Sequence, residues 1–177
     1  MTCIVAIAHN DKVHMGCDSA AYDSESTTHF IKTSPKIFTI DDYIIGYANS
    51  FRAGQIIQYD FIPPIPDAKN IMRTMTIDFI AGIQAAYERN KFVHDDDSEY
   101  VDLIVGVNGQ LFTIESDFQV QEYTENYISI GSGSHFALGS LHSTKSLKNP
   151  ILRIEKALEA AAEYTGSVKP PFYIDSN

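Results

Sequence analysis

The chain has 177 residues, 44% of them hydrophobic, and 13 Lys and Arg against 23 Asp and Glu give it a net charge of −10. A length of this order builds one domain that buries about 70% of the surface of the unfolded chain, so the core needs no disulfide or metal staple. The acidic balance argues against a nucleic-acid footprint, two cysteines make no disulfide framework, and the lack of an apolar run of about 18 residues or of a cationic leader leaves the expectation of a soluble, cytoplasmic protein that avoids membranes.

Thr2 to Ala8 is apolar on both faces, and Lys12 to Cys17 follows it across the polar turn His9-Asn10-Asp11, which predicts a hairpin. A strand that is apolar on both faces must be covered on both, so this hairpin is expected at the centre of its sheet. Ser19 to Phe30, rich in Ser, Thr and Asp, is expected to be a loop or irregular strand. Lys36 to Ile40 and Tyr43 to Ala48 form a second hairpin across Asp41-Asp42. Asn49 or Ser50 caps a helix through FRAGQIIQYDF, which Pro63, Pro64 and Pro66 prevent from continuing. Asp67 marks the entry to a longer helix whose core stripe is Met72, Met75, Phe79, Ile80, Ile83 and Tyr87. The acidic stretch His94 to Glu99 is expected to be a solvated loop.

Strand signals return at Val101 to Val107 and Leu111 to Ser116, joined by the strong turn pair Asn108-Gly109, and again at Asn126 to Ile130. The motif GSGS, Gly131 to Ser134, leads into helix-like Phe136 to Leu141 and then a second helix carrying Ile151, Ile154, Leu158, Ala161 and Ala162. Strands, two helices, strands, two helices predict an α+β fold, a four-layer αββα sandwich of two mainly antiparallel sheets between helix layers, in one domain over 1–177.

The chemistry centres on Thr2. Initiator methionine is normally trimmed before a small residue, which would leave a threonine at the start of a buried strand with its hydroxyl and its α-amine on one residue. A hydroxyl is a weak nucleophile without a base, and an α-amine titrating near about 7.7 to 8.0 supplies one at neutral pH. Asp18 ends the second strand and so lies beside Thr2, where a buried acid needs a partner. Lys36, at the start of the next strand, is the natural one, and its charge would disfavour protonation of the amine.

In order and spacing, TCIVAI, the GCDS around Asp18, SPKIFTI with Lys36, IIGYANS and SIGSGS resemble the proteasome β subunits and the bacterial HslV peptidase, from Thr2 to about Tyr164. The resemblance implies the N-terminal nucleophile (Ntn) hydrolase fold and a threonine peptidase. Thr2 would attack the scissile carbonyl, Asp18 and Lys36 would be the acid and lysine beside it, Ser132 would bond near the terminal amine, and the backbone N–H of Ser50 would form the oxyanion hole. It also implies no cofactor, peptide or unfolded-protein substrates, homo-oligomeric stacked rings and an ATP-driven unfoldase as partner. The chain departs from the family pattern in three places. The interval from Asp18 to Lys36 is two residues longer than usual, which keeps Lys32 as a second candidate. Asn49-Ser50-Phe51 is bulkier than the usual glycine turn. Glu163 and Ser167 are the nearest counterparts of the family's C-terminal acid and serine, and neither receives a role.

Two other functions fit the same residues: a non-catalytic ring or scaffold subunit, and an Ntn amidohydrolase acting on a small amide. Thr2, Asp18, Lys36 and Ser132 together speak against the first, and threonine rather than cysteine or serine at the terminus against the second. GSGS matches neither G-x-S-x-G nor G-x-G-x-x-G, so it announces neither a nucleophile elbow nor a dinucleotide site. Cys3, His14 and Cys17 are expected in the core rather than around a metal, and His94 with Asp95 to Asp97 in solvent rather than on a cation.

Overall fold

In a computed structural model, which describes residues 2–23, 28–92 and 101–177, the amino-terminal hairpin lies at the centre of the first sheet. β1 (Ile4–His9) pairs antiparallel with β2 (Lys12–Cys17) from Ile4↔Cys17 to His9↔Lys12. Its turn needs two left-handed residues, and Asn10 (φ 52°) and Asp11 (φ 58°), whose short polar side chains tolerate that conformation, provide them. β10 (Tyr127–Ile130) pairs with β1 and β11 (Tyr173–Ser176) with β2, giving the order β10-β1-β2-β11. The second sheet runs β5-β6-β7-β8-β9, from β5 (Ile37–Ile40) and β6 (Tyr43–Asn49) through β7 (Val101–Val107) and β8 (Gln110–Ile114) to β9 (Val120–Glu122). Asn108 (φ 51°) and Gly109 (φ 71°) make the β7–β8 turn.

Three apolar layers hold these sheets. Cys3, Val5 and Ile7 face α4 (Ser134–Ser143) and α5 (Pro150–Tyr164), packing with Ala137, Leu141, Ile154 and Leu158. The alternate residues Ile4 and Ala6 join Met15, Ile44, Ile104 and Leu111 between the sheets. On the far side, Tyr47, Val105 and Phe112 meet Ile57, Phe79 and Ile83 from the other helices. Those are α1 (Phe51–Asp60) and a continuous helical stretch over 71–89, made of α2 (Ile71–Arg73), a π-helical segment (Thr74–Phe79) and α3 (Ile80–Arg89). Helices, sheet, sheet, helices is the expected αββα sandwich. Each fully buried Ile or Val of β1 contributes about 1.5–3 kcal/mol, which is why a strand apolar on both faces sits in the middle of it.

Several local expectations are corrected. Ala20–Asp23 (β3) and Thr28–Ile31 (β4) pair as a small antiparallel ribbon instead of forming a loop. β9 and β11 carry no strong strand signal in the sequence. Helix entry falls at Ile71, not Asp67, whose carboxylate instead accepts the Lys69 amide (3.0 Å) in a turn before the helix. Ile71 takes the core position expected for Met72, which is 39% exposed. The acidic stretch His94 to Glu99 lies outside the described residues.

Candidate active site

The site forms where β1 begins, β2 ends and the GSGS turn leaves β10. Thr2 precedes β1 and is buried. GSGS wraps its backbone: the Thr2 nitrogen donates to Ser132 Oγ (3.1 Å), and the Thr2 carbonyl accepts from the Gly133 amide (3.2 Å). Gly131 makes this approach possible. Its φ is +88°, and a Cβ there would lie 2.3 Å from the Thr2 carbonyl oxygen, so only glycine fits. Ser132 Oγ also lies 2.9 Å from Ser167 Oγ, which binds the segment after α5 to the same turn.

Asp18 follows β2 and Lys36 precedes β5, and both are fully buried. Lys36 Nζ meets Asp18 Oδ1 at 2.7 Å. The same oxygen accepts the Cys3 amide (3.0 Å), so the ion pair is tied directly to the residue after Thr2. Asp18 Oδ2 accepts the amides of Ala20 (2.9 Å) and Lys169 (3.4 Å). A buried carboxylate with an ammonium and three amide donors has its charge compensated on both oxygens, which such a group requires. Lys32 does not reach this pair. Its Nζ stands 3.7 Å above the Phe51 ring, and burial, with the neighbouring Lys36 charge, holds its pKa below the ordinary lysine value.

Ser50 caps α1, its Oγ accepting the Ala53 amide at 3.2 Å, and the left-handed Asn49 (φ 69°) turns the chain into it. The backbone of Ser50 therefore lies at the positive end of the α1 dipole, a place suited to a developing negative charge. Of the two C-terminal residues without an expected role, Ser167 is buried against Ser132 while Glu163 is exposed on α5. Sequence reasoning missed two further contributors. Ser129 Oγ donates to the Ile4 carbonyl (2.7 Å), fixing β10 against β1. Ser19 donates through its hydroxyl to the Pro171 carbonyl and through its amide to the Lys169 carbonyl (3.0 Å), closing the C-terminal segment over Asp18. The only available hint was that GSV (Gly166 to Val168) repeats the small, polar character of GSGS.

Cys3 and Cys17 lie on opposite faces of the first sheet, one against the helices and the other between the sheets. Burial pushes their thiols up to about 12 and about 11, so both stay protonated in the core. Among the described residues no group of three His, Cys, Asp or Glu side chains could hold a metal ion, and no helix is long and apolar enough to cross a membrane.

Two sheets face to face between helix layers, with a threonine held at the mouth of the central hairpin, define the Ntn-hydrolase fold. Among solved structures, the chain is similar to BPH from Thiobacillus denitrificans in complex with epoxomicin, at a TM-score of 0.80 and 17% identity over 99% of this chain and 98% of that one. Eukaryotic HslV from Trypanosoma brucei matches at a TM-score of 0.71 and 17% identity, covering 99% of this chain and 98% of that one. Anbu, the ancestral beta-subunit from Yersinia bercovieri, matches at 0.67 and 16%, over 99% and 81%. The chain thus has the fold of proteasome-like and HslV-like proteins. No family model and no curated protein matches its sequence.

Proposed function

We propose that the chain is a threonine peptidase whose nucleophile is Thr2 once Met1 has been removed. Removal of Met1 converts the Thr2 nitrogen from a peptide nitrogen into an α-amine beside Ser132 Oγ. The amine takes the proton of the Thr2 hydroxyl as its oxygen attacks the scissile carbonyl. The Ser50 amide stabilises the resulting oxyanion, a contribution commonly worth a factor of about a hundred to a thousand in rate. The tetrahedral intermediate collapses, the amine protonates the departing peptide nitrogen, and water then cleaves the threonyl ester by the same proton path in reverse. Lys36, joined through Asp18 Oδ1 to Cys3, keeps positive charge close to the amine and favours its neutral form.

One observation carries this reading: the backbone of Thr2 is clamped by GSGS on one side while a fully buried Lys36–Asp18 pair is bonded to the very next residue on the other. The epoxomicin complex of the Thiobacillus BPH supports it. Both outer helix layers carry exposed apolar side chains, Tyr59 (78%) and Ile77 (53%) on one and Phe136 (43%) and Tyr164 (70%) on the other. These faces suit assembly of one 1–177 domain into stacked homo-oligomeric rings, fed in the cytoplasm with unfolded protein by an ATP-driven partner. The test is intact-mass analysis together with hydrolysis of fluorogenic peptides. Material lacking Met1 should cleave, and Thr2→Ala should abolish cleavage while leaving the sedimentation coefficient unchanged. Undiminished turnover in Thr2→Ala rejects the nucleophile.

A further inference from the structure

Next to the candidate site the two sheets part into a cleft of about 650 Å³. It adjoins the chemistry at both ends: Gly131, packed on the Thr2 carbonyl, lines one wall, and Asn49, immediately before Ser50, lines the other. The ionisable lining is one-sided. Asp102, Glu115 and Glu125 contribute carboxylates, and no Lys, Arg or His lines the cleft. Asp102 accepts from the Asn49 amide nitrogen through Oδ2 at 2.8 Å, and it is only half-buried.

A second observation is independent of the charge. Thr113 lies on β8 opposite Ile104 and lines the cleft with only 4% of its surface exposed. Its Oγ1 is buried and has no hydrogen-bond partner among the described residues. Leaving a buried hydroxyl unpaired costs about 1–3 kcal/mol, so such a group in a cleft wall is suited to a ligand that supplies the missing partner. A polar atom awaiting a donor, beside carboxylates with no neutralising cation, selects a ligand group that donates hydrogen bonds and carries positive charge.

We infer that this cleft binds a lysine or arginine side chain of the peptide substrate, with Asp102 as the principal carboxylate and Thr113 as the hydroxyl acceptor. The inference rests on the peptidase reading and adds a substrate class to it. The tyrosines of the lining, Tyr123 and Tyr127, supply apolar ring surface for the aliphatic stem of such a side chain.

The experiment compares fluorogenic peptides identical except for arginine, norleucine or glutamate at one position, scanned through three residues on each side of the scissile bond, with the Met1-free protein. At one position kcat/KM for the arginine peptide should exceed that for the norleucine peptide by about tenfold, and the glutamate peptide should be poorer than both. Asp102→Asn and Thr113→Val should each lower the arginine-to-norleucine ratio at least threefold, and 0.5 M NaCl should lower it as well. Hydrolysis with ratios within twofold at every position overturns the cationic-side-chain assignment and leaves the peptidase intact. Failure of all the peptides to be cleaved overturns the peptidase reading and this assignment with it.

Discussion

Replacing Lys36 by Met removes the one cation that faces Asp18 while keeping most of the volume of the side chain. Both groups are fully buried, so water cannot take the ammonium's place. Breaking a buried pair by deleting one partner typically costs about 3–5 kcal/mol. Here the amides of Cys3, Ala20 and Lys169 still bond the stranded carboxylate, which puts the loss near the lower end, about 3 kcal/mol. With a urea m-value of about 2–3 kcal/mol/M, the midpoint should fall by about 1–1.5 M. Lys32→Met removes only a half-exposed cation above a ring and should cost less than about 1 kcal/mol. The double variant Asp18→Asn/Lys36→Met should be more stable than the sum of its two single losses predicts, by at least about 1 kcal/mol, because neither charge is left alone. The assay is equilibrium urea unfolding, followed by peptide hydrolysis under conditions where each variant is folded. Lys36→Met should lose far more activity than Lys32→Met. A Lys36→Met protein within about 1 kcal/mol of the parent, or strictly additive losses in the double variant, would refute the argument.

Gly131→Ala places a methyl group 2.3 Å from the Thr2 carbonyl oxygen at a left-handed φ, and should cost about 2 kcal/mol or more in urea unfolding and depress peptide cleavage, whereas a neutral Gly131→Ala would mean that the GSGS turn does not grip Thr2. His14 Nδ1 is buried with no partner among the described residues, and burial, with His9 and Lys12 nearby, holds its pKa below 6.5. The unfolded chain therefore binds the proton more readily, so this contribution to stability is complete above about pH 6.5 and is lost as pH falls below it. The urea midpoint of the parent should drop more between pH 7.5 and 5.5 than that of His14→Gln, and parallel curves would contradict this assignment.

What the sequence makes legible here is what local chemistry decides. The β1–β2 and β7–β8 hairpins follow from Asn10-Asp11 and Asn108-Gly109, each pair able to take positive φ where the turn demands it. The central place of β1 follows from its lack of a polar face. The site residues Thr2, Asp18 and Lys36 stand out because an acid and a lysine beside buried strands need each other, and the structure joins them at 2.7 Å. Features that depend on distant chain are silent. β11 is four residues containing an Asp and a Ser, and it becomes a strand only because the edge of β2 is open to it. Ser167 gains its place at Ser132 only when the chain after α5 folds back over the hairpin. Ile71 displaces Met72 from the core in the turn just ahead of the π-helical segment, whose wider turns an ideal 3.6-residue stripe does not anticipate.

The central claim is that one residue, Thr2, provides both the attacking oxygen and the base. A peptidyl epoxyketone tests it directly, because its ketone carbon takes a hydroxyl and its epoxide carbon an amine from a single partner. Treated protein should gain one reagent mass, and tandem mass spectrometry should place the doubly linked adduct on Thr2 of a chain that lacks Met1. An adduct on any other residue, or cleaving material that still carries Met1 on the Thr2 nitrogen, would contradict the account.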